Sequence, residues 1–393
     1  MSKEYVLRDI GEIYDGPHAT PKRQTEGKYF LNISSLDNGR LQLRKSDHIS
    51  DIDYEKWTRR ITPQANDLLF SYETRLGEAA LMPGGIKAAL GRRMALLRPD
   101  TSKVDPSFLL YKWLSPQWQA LISERTLHGA TVNRIPIRDI PDWPITLPPL
   151  SQQNAIASIL RSLDDKIAAN QRTIQSADSL RNALWDKLLK TNTESLPLSS
   201  LAEFINGRAF TKNATGTGRV VARIAELNSG IGSNTVFNDI EVHQNHVVLP
   251  GELLFAWSGT LMTKRWPYDE AIVNQHIFKV LPISKFDLWA LELIIQSQIH
   301  YFQMIAAGKA TTMGHIKRAD LDKTVEVPTS IPDKLNMLGN TLWMLATQAE
   351  QENQTLARTR DELLPLLMSG KITVRDAEEA SAEAGVDKHE VKE

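Results

Sequence analysis

Cysteine is absent from this chain of 393 residues. That excludes disulfide staples, cysteine-ligated zinc and a thiol nucleophile together. No stretch approaches the roughly 18 uninterrupted apolar residues that a membrane-crossing helix needs. The opening Met-Ser-Lys-Glu-Tyr lacks the charged-then-apolar order of a secretion signal, so a cytoplasmic setting is expected. Neither sign of charge dominates. The net charge of −1 neither demands nor forbids a nucleic-acid partner. With 41% hydrophobic and 24% charged residues, the chain reads as an ordinary folded protein of two or three domains.

Catalytic signatures are missing as well. There is no phosphate-binding Gly-x-x-x-x-Gly-Lys-Ser/Thr loop, no Gly-x-Ser-x-Gly elbow and no His-Glu-x-x-His. Pro148-Pro149 runs into Leu150 and so lacks the Asn/Asp-Pro-Pro-aromatic pattern of adenine methyltransferases. Pro141-Asp142 with Asp164-x-Lys166 matches a loose nuclease pattern, but on a helix the latter pair more naturally forms surface ion pairs. His243 and His246 have no third ligand type beside them, so no metal site is expected.

What the chain does contain is a repeat. Leu7–Gly16 resembles Leu198–Gly207, and Ile33–Gly39 resembles Ile224–Gly230, both 191 positions apart. Asp67–Phe70 resembles Glu252–Phe255 at 185, Thr131–Ile140 resembles Thr312–Leu321 at 181, and Leu147-Pro148 resembles Val327-Pro328 at 180. The order holds while the offset shrinks, as two copies with unequal surface loops would give. Each copy reads as a globular part of short strands and turns followed by a long helix. Apolar segments near Phe108–Ile122 and Leu288–Ile305 read as short helices within the globular parts. The expected divisions are a globular domain at 1–150, a spacer helix at 151–194, a second domain at 195–328, a second spacer helix at 329–370, and an acidic, disordered tail at 371–393.

The first spacer should start after Pro148-Pro149, with Ser151 as N-cap. Ile156, Leu160, Leu163, Ile167, Asn170, Ile174, Ala177, Arg181, Leu184 and Leu188 then step by four and three alternately, a heptad seam on a rod of ~60 Å. The second seam follows 179 positions later: Leu335, Gly339, Leu342, Ala346, Ala349, Asn353, Leu356, Arg360, Leu363 and Leu367. Each seam has one Asn. Pairing Asn170 with Asn353 antiparallel makes facing positions sum to 523 and sets apolar residues such as Ile156 and Leu367 opposite one another, with Leu163 facing Arg360 and Leu342 facing Arg181, whereas parallel pairing sets each Asn against an apolar side chain. An antiparallel intramolecular coiled coil is therefore expected, with Pro365 kinking or ending the second helix early. Two similar heads held on a stiff rod suit a bipartite target such as DNA, whose half-sites commonly lie one helical turn apart.

Three segments carry a family resemblance. Pro144–Gln153, running into Ala155–Ile167 with its Leu-Asp-Asp-Lys-Ile close, resembles the central region of the specificity subunits of Type I restriction-modification enzymes. Arg360–Ile372 is similar to their C-terminal close. Asp15–Lys22 and Phe70–Gly77 resemble one class of their target-recognition domains. The resemblance covers about 1–372 and implies an α+β fold, with two pseudo-repeated target-recognition domains joined by two long helices forming an antiparallel coiled coil. It also implies a noncatalytic subunit that reads a bipartite double-stranded DNA site and docks two modification subunits. Those subunits would bind S-adenosylmethionine and methylate adenine at N6. Restriction subunits, where present, would bring ATP and Mg. The chain itself would hold no cofactor.

Base reading needs Arg forks and Asn or Gln amides, while phosphates need Lys, Arg, hydroxyls and backbone amides. On that chemistry the candidate contacts in the first domain are His18, Thr20, Lys22, Arg23, Thr74, Arg75, Arg92, Arg93, Thr131, Asn133 and Arg134. The polar loops at matching repeat positions add Arg208, Lys212, Asn213, Ser258, Thr260, Lys264, Arg265, Asn274, Gln275, His276, Lys309, Thr312 and His315. Trp257 is placed in the core in preference to stacking on a base. The rival reading is a noncatalytic coiled-coil adaptor that assembles protein partners, and a third is an enzyme with an unrecognised site in one head.

Overall fold

A computed structural model describes residues 2–17, 19–129, 132–308 and 316–386. The chain divides into two compact units, residues 1–166 with 356–393 and residues 167–355. Each unit holds one globular head and parts of the two long helices.

In the first unit, Lys3–Val6 pairs antiparallel with Pro144–Leu147, so the chain enters and leaves the head through one two-stranded ribbon. An antiparallel sheet follows in the order Gly11–Asp15, Met94–Pro99, Leu68–Ser71, Ala79–Leu81. A smaller sheet sets Lys28–Leu31 between Asp47–Ile49 and Ala88–Leu90, the last pair parallel. Leu68–Ser71 is buried at every position, which explains its unbroken apolar start. The apolar segment at 108–122 forms two helices, Pro106–Leu114 and Pro116–Glu124. Pro116 cannot extend the first, and Ser115 caps the second by accepting from the Trp118 amide. Rings of Phe70, Trp113, Trp118 and Trp143 pack in series through this core.

The second unit repeats this plan. Thr193–Pro197 pairs with Thr324–Pro328. Its antiparallel sheet runs Ala202–Asn206, Ile277–Pro282, Leu253–Ala256, Met262–Arg265, the same order as in the first head. Arg219–Ala222 runs parallel to Ala271–Val273, as Lys28–Leu31 does to Ala88–Leu90. Leu288–Gly308 is one 21-residue helix, longer than its counterparts.

The long helices are Leu150–Leu188 and Asp333–Ser369. They pack together, and most of the seam residues are buried, with Ile167, Ile174, Leu335, Asn353 and Arg360 half-buried. The first begins one residue before the expected cap, at Leu150. Their directions oppose. In the second unit Asn170 Nδ2 donates to Glu352 Oε2 at 2.7 Å, while the Arg181 guanidinium lies over the Trp343 ring at 5.0 Å. In the first, Arg360 Nη1 donates to Asp164 Oδ1 at 2.8 Å. These pairs stay within one residue of the expected register. The asparagine pairing itself needs correction: the hydrogen bond of Asn170 goes to Glu352, and the buried Oδ1 of Asn353 accepts none. The longer glutamate side chain reaches the seam from the adjacent position.

Two further expectations change. The second long helix runs through Pro365 to Ser369. Proline has no N–H to donate there, and Ser369 Oγ donates to the Pro365 carbonyl at 2.7 Å. The stretch expected as a disordered tail carries a helix, Val374–Glu383, whose Thr373 and Asp376 form a capping box. Ala377, Ser381, Ala384 and Val386 are buried, so small side chains rather than large ones hold it down. Residues 387–393 lie outside the described residues.

Candidate nucleic-acid interface

At one edge of the first head's sheet, three loops are stitched together by backbone hydrogen bonds. The Tyr72 amide donates to the Arg93 carbonyl at 3.2 Å, and the Tyr72 carbonyl accepts from Ile135 at 2.8 Å. Thr74 donates its amide to the Asn133 carbonyl at 3.3 Å, and Glu73 bridges Arg134. Arg93 adopts φ 71° and Thr74 φ 68°, left-handed conformations costly to residues with a side chain. The arrangement brings Thr74, Arg93, Asn133 and Arg134 into one lip, with exposed Arg92 beside Arg93. Gly16 is required behind it, because a Cβ there would sit 2.4 Å from the Gly91 carbonyl oxygen.

The second head builds the same lip from different residues. Trp257 takes the place of Tyr72: its amide donates to His276 at 3.0 Å and its carbonyl accepts from Ile316 at 3.2 Å. His276, at φ 73°, replaces Arg93, and Gly259, at φ 64°, replaces Thr74. Gly207 replaces Gly16, its absent Cβ leaving room for the Asn274 carbonyl, 2.1 Å from where that Cβ would be. Arg208 bridges Asn274 and accepts from the Gln275 amide at 2.8 Å. Arg208, Gln275 and Thr260 are exposed along this edge. Trp257 is half-buried: its ring packs 5.7 Å from Phe278 and 5.0 Å from His276, and its Nε1 donates to Asn206 Oδ1 at 2.8 Å.

Electrostatics differ between the two lips. Arg93 Nε lies 2.9 Å from Glu73 Oε2, and Nη1 donates to Thr74 Oγ1 at 3.3 Å. Arg75 is committed inward, to Glu78 Oε1 at 2.9 Å and the Ile33 carbonyl at 3.2 Å. Arg92 is exposed to solvent. Burial, with Asp15 and Glu73 nearby, pushes the Tyr72 hydroxyl up to about 12. Burial and the neighbouring Arg208 hold the His246 imidazole below its usual value, and His243 caps its own turn by accepting from the Asn245 amide.

The other expected contacts scatter. Thr20, Lys22 and Arg23 are exposed on a loop tied to the 47–49 strand, where Arg23 Nε lies 3.3 Å from Asp47 Oδ2. Lys212 and Asn213 are exposed and Lys264 is half-buried. Three residues are corrected. Arg265 is buried and forks onto Glu350 at 2.9 and 3.1 Å, because the long helix covers the sheet face it occupies. Ser258 and Asn274 are buried, the latter just past the 271–273 strand at its bridge to Arg208, so neither side chain is available at the surface. His18, Thr131, Lys309, Thr312 and His315 lie outside the described residues. Tyr72 and Asn206 were missed, although the repeat aligns Tyr72 with Trp257.

Among the described residues no cluster of three metal-ligating side chains occurs, and no helix is long and apolar enough to cross a membrane. Residues 2–178 match the Type I restriction modification DNA specificity domain family. That match covers the first head and the first part of the first long helix, a little under half of the chain. A putative type I restriction enzyme MjaX specificity subunit from Methanocaldococcus jannaschii is 26% identical over 191 residues, 46% of this chain and 44% of that protein. That alignment spans less than half of the relative's length. The fold is shared with the S subunit of a Type-I restriction-modification system from M. genitalium, at TM-score 0.62 and 14% identity over 93% of this chain and 96% of the other.

Proposed function

We propose that this chain is the noncatalytic specificity subunit of a Type I restriction-modification system, with each lip reading one half of a bipartite DNA target. The observation that carries the reading is the duplicated backbone frame at Tyr72–Arg93–Ile135 and Trp257–His276–Ile316, filled with different side chains. A conserved frame with changed side chains suits two half-sites of different sequence. Exposed Arg92, Arg208, Thr260 and Gln275 offer the forks, hydroxyls and amides that base edges and phosphates accept. The family description supports the same ligand.

The long helices space the heads and dock two modification subunits, which bind S-adenosylmethionine and methylate adenine. Restriction subunits, where the system has them, supply ATP-driven cleavage with Mg. In the second unit Met337, Leu338, Met344 and Leu345 stand exposed on one helix and Leu180 on the other, beside a groove of about 470 Å³ lined by Ala177 and Leu342. Apolar side chains repeating seven residues apart on a solvent face suit a helical partner.

Duplex binding by the complex reconstituted with its modification subunits tests the reading. Sequence preference should persist while affinity falls steeply with salt. Salt-insensitive association without sequence preference would favour the adaptor reading, and methylation by the isolated chain would contradict a noncatalytic role.

A further inference from the structure

The seam arginines do not stay in the seam. In the first unit Asp164, on the first long helix, gathers four elements: Oδ1 accepts from Arg360 of the second long helix at 2.8 Å, and Oδ2 from Tyr111 of the 106–114 helix at 2.8 Å. Its carbonyl accepts from Arg40 of the head's short hairpin. In the second unit Arg181, the repeat equivalent of Arg360, donates to Glu292 Oε2 of the 288–308 helix at 2.8 Å, to Asp178 at 2.7 Å and to the Trp289 carbonyl at 3.4 Å. Arg265 of the head's sheet forks onto Glu350 of the second long helix, and Trp343 lies against both guanidinium groups at 5.0 and 4.8 Å.

From this geometry we propose that the two junctions are angular locks, each fixing how its head sits on its own stretch of the long helices and so restricting the gap allowed between half-sites. The inference rests on the DNA-reading function above. Apolar packing tolerates small rotations, whereas a planar fork to a carboxylate does not. Buried ion pairs contribute little net stability compared with apolar replacements, because desolvation offsets their attraction. Geometric definition is the better account of why an arginine interrupts an apolar ladder at the same step in both repeats. The tolerance needed is fine: one base pair moves a half-site by ~3.4 Å and rotates it by roughly 34° about the DNA axis.

The test is methylation by the reconstituted complex on duplexes whose gap is the preferred length or one base pair shorter or longer. Tyr111→Phe removes one hydroxyl and Arg265→Lys keeps the charge without the fork. Arg360→Met removes the cation paired with the Asp164 carboxylate. Each should raise activity on the altered gaps, relative to the preferred gap, by about fivefold, the equivalent of one lost hydrogen bond, while base preference within each half-site stays unchanged. A purely structural role would lower activity equally at all gaps and leave the ratio where it was, which overturns the lock. Wild-type complex that shows gap selectivity with variants of identical profile overturns it too and leaves the DNA reading standing. Wild-type complex without sequence preference removes both. Because the readout is a ratio, Tyr111→Phe, the mildest change, decides the matter even if Arg360→Met folds poorly.

Discussion

Gly339 stands inside the second long helix, where glycine ordinarily costs ~1 kcal/mol relative to alanine. Gly339→Ala should nonetheless destabilise the protein. An alanine Cβ would lie 2.3, 2.5 and 2.7 Å from the Cε2, Cδ2 and Cζ2 atoms of Trp289. The indole has no room to retreat. It is fully buried, its Nε1 donates to Asn336 Oδ1 at 2.8 Å, and Trp185 packs edge-on at 6.0 Å. Overpacking of this kind costs ~1–3 kcal/mol, and contacts this short put the site at or above the upper end. After the propensity gain, a net loss of about 1–2 kcal/mol remains. For a unit of this size that lowers Tm by roughly 2–8 °C. Differential scanning calorimetry of the intact chain measures it. Gly339→Ala combined with Trp289→Leu should recover most of the difference between the alanine and glycine backgrounds, since neighbours in contact are not additive. A higher Tm for Gly339→Ala alone would refute the packing argument.

Other outcomes follow from the same geometry. Arg92→Ala should relax preference in one half-site only, by about 1–3 kcal/mol if it reads a base, whereas a uniform loss with a smaller salt slope would assign it to phosphate. Arg75→Ala should alter stability more than selectivity, because both ends of its fork are held inside the head. Inserting one heptad into each long helix should lengthen the preferred gap, and an unchanged gap in methylation calling would deny the spacer role. Burial holds the Glu292 carboxyl above its ordinary value despite Arg181, so the folded state keeps that proton to higher pH than the unfolded state. Its contribution to stability is therefore greatest below the unfolded value and declines as pH rises through the folded one. Glu292→Gln should flatten that decline in urea titrations run from pH 4 upward; an unaltered slope would assign the pH dependence elsewhere.

The spacer was legible because its signal is local. Four-and-three spacing survives any surroundings, and a 179-residue shift repeats it. The register came within one residue for the same reason, and missed because Glu352 is long enough to displace Asn353 as the partner. The lips were only half legible. Polar loops at repeat positions marked 74–75, 92–93 and 133–134, yet nothing in composition said that Arg93 and His276 hold left-handed backbone, since neither is glycine. Arg265 was misplaced because strand alternation separates it from Lys264 without revealing which face another element covers. The C-terminal helix was hidden by acidic composition, although Thr373-x-x-Asp376 carried its start signal.

The paired ribbons at the root of each head have a consequence for how such a chain can vary. Lys3–Val6 lies against Pro144–Leu147, and Thr193–Pro197 against Thr324–Pro328, so entrance and exit are side by side. Everything between them hangs from a single stem. A loop can grow or shrink beyond that stem without shifting where the next helical turn begins, which is how the two copies differ in length while their seams stay in phase. Each head is a fitting on its own stem, and novelty at its tip leaves that mounting untouched.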